Sequence, residues 1–137
     1  MRTEVVEYED GGQVLARYIP SGIAWNAGLN FFSDDSDFIQ AGIWGYNRGT
    51  CLNAHIHNEV VRQVLWTQEV IFVRSGKLEA VIYGISGRIV AKVLMTEGDI
   101  IIMLRGGHGY NILEDNTSVL EVKNGPYPGA SEDRRKL

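Results

Sequence analysis

Residues 69–104 read Glu69-Val-Ile-Phe-Val-Arg-Ser-Gly-Lys-Leu-Glu-Ala-Val-Ile-Tyr-Gly-Ile-Ser-Gly-Arg-Ile-Val-Ala-Lys-Val-Leu-Met-Thr-Glu-Gly-Asp-Ile-Ile-Ile-Met-Leu104. Short runs of Val, Ile, Leu and Phe alternate with clusters that favour turns. β-Branched and aromatic side chains suit a pleated, half-buried surface, so each run reads as a strand. Arg74-Ser75-Gly76-Lys77 and Gly84-Ile85-Ser86-Gly87 have the composition of hairpin connections. Glu97-Gly98-Asp99 has that of a tight turn before the apolar run 100–104.

The same pattern extends outward. Strands are expected over 14–19, 38–46, 51–58, 63–73, 78–83, 89–94, 99–104, 110–113 and 118–123. No segment keeps a helical period capped at both ends. Residues 58–65 come nearest, and their β-branched content argues against a helix. The spacing predicts an all-β sandwich or barrel. Residues 124–137 open with Gly-Pro-Tyr-Pro-Gly and end in charged residues, as a surface tail would.

Composition bounds the rest. A chain of 137 residues, 45% of them hydrophobic, suffices for one domain with its own core. A net charge of −4 with mixed signs gives no basic face for nucleic acid and no attraction to acidic membranes. No run approaches a membrane span, and the first residues lack a signal-peptide core. A cytoplasmic protein is therefore expected. Cys51 is the one cysteine, which rules out an intrachain disulfide; a buried, inert thiol is expected there.

Three histidines stand out: His55, His57 and His108. Alternate residues of a strand face one side, so His55-Ile-His57 presents two imidazoles together. Such a pair suits a metal ion, but equally an ordinary pair of surface or core histidines. The surroundings add to it. Gly49 stands six positions before His55, and Glu69 stands seven before Gly76. Gly98-Asp99 opens the apolar strand leading to Gly106-Gly107-His108, with Asn111 just beyond.

This arrangement resembles the two signature motifs of the cupin superfamily, Gly-x5-His-x-His-x3–4-Glu-x6-Gly and Gly-x5-Pro-x-Gly-x2-His-x3-Asn. The likeness covers about 49–123 of a single domain spanning 1–137. It departs from the pattern at three points. Eleven residues separate His57 from Glu69, Leu104 replaces the proline, and both His108 and its distance to Asn111 fall one residue short. In the pattern the acid stands seven positions before the turn glycine, which matches Glu69 rather than Glu59 and makes residues 58–65 a lengthened hairpin end.

The resemblance implies a jelly-roll barrel with one divalent metal ion (Fe, Mn, Ni, Co or Zn) held by His55, His57, Glu69 and His108. It also implies a small-molecule ligand and a homodimer. Gly-Gly-His-Gly-Tyr, Trp-Thr-Gln-Glu-Val and Glu-Val-Lys-Asn-Gly-Pro-Tyr-Pro-Gly resemble a cupin subgroup found among polysaccharide and sugar genes, which implies a carbohydrate-related metabolite. Isomerase, epimerase, dioxygenase and non-catalytic sensor roles all occur on this scaffold, and the motifs do not choose among them. Arg105 and Tyr110 flank His108 and are the candidate catalytic residues. Thr67, Asn53 and one of the pairs Glu121/Lys123 and Leu120/Val122 are further candidates to line a cavity. Trp44 and Trp66 are expected in the core or at a dimer contact.

Overall fold

The computed structural model describes residues 1–25 and 28–137. Strands β1 (Val6–Asp10) and β2 (Gln13–Ile19) are joined by Gly11-Gly12, both at positive φ, 59° and 78°. A two-residue hairpin turn needs that conformation at both centres, and glycine takes it without a Cβ penalty. The hairpin β3 (Gly28–Phe31) and β4 (Gly42–Gly45) stands by itself. The remaining strands are β5 (Glu69–Ser75), β6 (Lys77–Tyr83), β7 (Ile89–Thr96), β8 (Ile100–Met103), β9 (Gly107–Ile112) and β10 (Ser118–Lys123). A short helix, α1, covers Ala130–Asp133.

Two sheets carry the fold. One has five strands in the order β1-β2-β8-β5-β10, the other three in the order β7-β6-β9, and all pairings are antiparallel. Their inner faces share one core. Ala16, Tyr18, Ile71, Val73, Ile101 and Met103 come from the larger sheet, and Leu78, Ala80, Ile82, Val93 and Met95 from the smaller. The alternation that marks these strands in sequence is the alternation of inner and outer faces. The outer face of the larger sheet is covered in part by Ile39 and Ile43, which pack with Ile19, Ile100, Ile102 and Leu104. With both faces buried, β8 has the unbroken apolar sequence Ile100-Ile-Ile-Met103.

The all-β expectation holds, while the sheets stay separate and form no closed barrel among the described residues. Several predicted strands shift. The run 38–46 contributes only Gly42–Gly45, and 63–73 becomes Glu69–Ser75. The run 51–58 forms no strand, and 58–65 forms neither a helix nor a hairpin end. Residues 46–66 are all exposed and irregular, so Cys51 is an exposed thiol rather than a buried one. Alternation over 53–57 suits a strand, but among the described residues no neighbouring strand takes up the backbone groups of this segment.

Gly76 also differs from expectation. It turns the chain from one sheet to the other, because β5 and β6 do not pair. Its φ is 85°, and a Cβ there would collide with Thr117. Gly84 to Gly87 does form a hairpin between β6 and β7, closed by Gly84 N–H donating to Arg88 O at 2.8 Å.

Buried polar groups fasten the loops. Arg17 donates to Glu7, Asp34 and Asp37 at 2.9, 3.0 and 2.8 Å, tying β1 and the 33–41 loop to β2. Gln68 Oε1 accepts from Phe38 N–H and Ile39 N–H, and its Nε2 donates to Leu104 O. Asp99 accepts from Tyr18 OH, Ser21 N–H and Thr96 N–H. Each holds a remote segment in place, which accounts for a polar group in the interior.

Candidate ligand-binding site

The site forms where the two sheets part at one end of the core. Glu69 begins β5 and faces inward, in line with Ile71 and Val73. His108 and Tyr110 lie opposite Ile82 and Ala80 on β6, so they face inward from the other sheet. The three side chains meet. His108 Nε2 lies 2.9 Å from Glu69 Oε1, and Tyr110 OH donates to the same oxygen at 2.8 Å. Glu69 is 4% exposed, whereas the His108 side chain is 34% exposed and opens to the cavity.

Burial pushes the Glu69 carboxyl upward, but the hydrogen bonds and charge of His108 and Tyr110 outweigh it and lower it to about 2. Glu69 is therefore an anion at neutral pH. Burial, then the Glu69 carboxylate, raise the Tyr110 hydroxyl, which stays a neutral donor. Glu121 is raised by burial and by its hydrogen bond to Glu69. The register settles which β10 pair faces inward. Lys123 lies opposite Glu69 and Glu121 opposite Ile71, so these two share the inner face and Leu120 and Val122 take the outer one.

A cavity of about 670 Å³ opens from Glu69 and His108. Trp66, Thr67, Arg105 and Lys123 form part of its wall, as do Gly106 and Gly107. The Arg105 guanidinium carbon sits 4.2 Å from the centre of the Trp66 ring. Trp66 is in turn fixed by its indole N–H donating to Leu104 O at 2.7 Å and by edge packing on Phe38. Gly106, at φ 75°, brings the turn against Tyr83 O, where a Cβ would not fit. The turn thus carries Arg105 and His108 to the same cavity.

The expected residues divide into two groups. Glu69, His108, Tyr110 and Arg105 come together, with Thr67 and Lys123 beside them. His55 and His57 do not join them. They sit in the exposed 46–66 segment, with ring centres 5.0 Å apart, and His55 Nδ1 lies 3.0 Å from Asn53 O. Trp44 is exposed on the separate hairpin beside Tyr46.

The donor chemistry expected for a metal, three imidazoles and a carboxylate, suits a divalent ion. In this arrangement two of the four donors meet, and no group of three or more His, Cys, Asp or Glu converges among the described residues.

The C-terminal tail is the part the sequence reading missed. Thr67 Oγ1 hydrogen-bonds the Asp133 carboxylate, and Arg134, Arg135, Lys136 and Leu137 line the cavity. Leu137 packs so closely on Gly107 that a Cβ there would strike it. A basic run after a Gly-Pro-Tyr-Pro-Gly turn was the available signal, since such a turn can send the chain back over the body of the domain.

No protein-family model, curated protein or solved structure matches this chain.

Proposed function

We propose that this chain is a cupin-type protein that binds a small polar, sugar-derived metabolite in the cavity beside Glu69 and His108. One observation carries the reading. A buried, ionised carboxylate and an imidazole from opposite sheets meet at the floor of a roughly 670 Å³ cavity. Pockets for small molecules commonly span about 300–1,000 Å³ with a few convergent polar groups. A structural ion pair needs no such opening beside it.

In this proposal Glu69 and His108 are also two ligands of a divalent metal ion, and His55 and His57 complete the set. Two features support it. Among the described residues β9 pairs only with β6, which leaves one edge open on the strand that bears His108. The eleven residues between His57 and Glu69 span at most about 40 Å when extended, which is tether enough across a small domain. A bound divalent ion would supply Lewis acidity toward a carbonyl or hydroxyl oxygen. Arg105 and Tyr110 would orient the ligand around it.

Metal analysis of protein purified without chelator, then reconstituted, tests this reading. About one equivalent is expected for the wild type and a large loss in His57→Ala and His108→Ala. Full occupancy in His57→Ala would remove that residue from the set.

One observation favours a second reading. Glu69 and His108 already satisfy one another at 2.9 Å, as the pair would in a non-catalytic binding protein or sensor. Such a protein would return its ligand chemically unchanged after prolonged incubation, whereas an enzyme would not.

A further inference from the structure

We infer that the cavity is selective for a ligand carrying an oxyanion, a carboxylate or a phosphate ester, and that Arg105 is the residue that reads it. The inference rests on the cavity being the ligand site proposed above, but not on the metal. Its first support is charge. The chain as a whole is acidic, at −4. Yet Arg105, Lys123, Arg134, Arg135 and Lys136 line this one cavity with two acids, Glu69 and Asp133, while a third, Glu121, lies 3.8 Å from Lys123. The two lining acids already have partners, His108 and Tyr110 for Glu69 and Thr67 for Asp133. Five cations against three acids leave more positive than negative side chains around the cavity.

The second support is the state of Arg105 itself. Arg17 shows what a structural arginine looks like in this protein, with three carboxylates around its guanidinium. Arg105 has no carboxylate partner among the described residues, and its Nε is a buried donor without an acceptor. A buried unmade hydrogen bond is unfavourable and calls for an explanation. The flat face of the guanidinium rests on Trp66, which the Leu104 carbonyl and Phe38 hold in place. Stacking uses the face and leaves the edge donors of the fork, which match the two oxygens of a carboxylate or phosphate. Arg105 is thus oriented before any ligand arrives, and less ordering remains to oppose binding.

The test follows the Arg Nε–H resonances of the full chain by NMR during titration with inorganic phosphate, glucose 6-phosphate, gluconate and glucose. Saturable movement of the Arg105 signal is expected with the three anions, while the Arg17 signal stays still. Glucose 6-phosphate and gluconate distinguish a phosphate from a carboxylate preference. Arg105→Gln should weaken anion binding roughly tenfold or more, the usual effect of losing a charged hydrogen-bond donor. Arg105→Lys keeps the charge without the fork and should fall in between. Arg74→Gln, outside the cavity, should bind as the wild type does.

Equal affinity for glucose and glucose 6-phosphate would overturn the oxyanion preference while leaving the cavity a sugar site. Binding of inorganic phosphate without any added affinity for the sugar portion would do the reverse. Should Arg105→Gln fail to fold, wild-type affinity in Arg105→Lys would equally refute a role for the fork.

Discussion

Replacing Glu69 with Gln should remove a specific part of the acid sensitivity of this protein. In the folded chain the Glu69 carboxyl is lowered to about 2 from the ordinary 4.5, despite its burial, by His108 and Tyr110. A carboxyl held low in the folded state binds its proton more weakly there than in the unfolded chain. Its stabilisation is fully present above about pH 4.5 and fades as the pH falls toward 2. Linkage over this interval gives a loss of about 2 kcal/mol between pH 7 and pH 3.

Glu121 acts in the opposite sense. Its carboxyl is raised by burial and by Glu69, so the folded chain takes up that proton first and gains stability as the pH falls through the raised value. The net effect of the pair is therefore smaller than that of Glu69 alone. Urea denaturation at a series of pH values, read as ΔG with the slope m held common, measures it. Glu69→Gln should be the less stable protein at pH 7, by about 2 kcal/mol or less, and the two curves should draw together as the pH falls toward 2. Parallel curves over the whole range would refute the low Glu69 value and the ion pair behind it.

Three further outcomes follow from the packing. Arg17→Met leaves Asp37, whose side chain is 14% exposed, without its cation and should cost about 2–4 kcal/mol in the same denaturation assay. Ile101→Ala opens a hole at a fully buried position in the centre of the core and should cost about 3–4 kcal/mol, lowering the thermal midpoint by roughly 10 °C. Cys51 should react with a disulfide reagent at the rate of an unhindered thiol in the native protein, and protection approaching that of a core cysteine would contradict its exposure.

The parts of the fold that were legible share one property: local sequence decides them. The run 78–104 holds short apolar and β-branched strands and turns with glycine where φ is positive, at Gly87 and Gly98. Two kinds of information were not local. One is partner choice. Arg74-Ser75-Gly76-Lys77 reads equally well as a hairpin or as a corner between sheets, and only the Thr117 contact at Gly76 distinguishes them. The other is competition. Val6–Asp10 carries three acids that disfavour a strand, yet the Gly11-Gly12 turn and Arg17 hold it on β2.

The candidate site divides in the same way. Glu69, Arg105, His108 and Tyr110 ride on strands or turns that local pattern fixes. Thr67 and the tail residues depend on where a distant segment lies down.

Energetics explain why His55 and His57 stand apart from that division. Segment 46–66 exposes Leu52, Ile56, Val60, Val61, Val64 and Leu65. Burying all six would yield about 10–15 kcal/mol at about 1.5–3 kcal/mol each, less what is already covered. Fixing some twenty backbones costs about 20–40 kcal/mol. Apolar burial by itself therefore does not order this segment, however well its sequence alternates. Ladder hydrogen bonds add only about 1 kcal/mol each. Ligation of a divalent metal supplies energy of the required size, about 10–16 kcal/mol for structural zinc. In the proposed function metal binding and ordering of the segment are thus a single event. On that proposal the histidines would serve both as ligands and as the anchor of a segment that apolar burial alone does not hold.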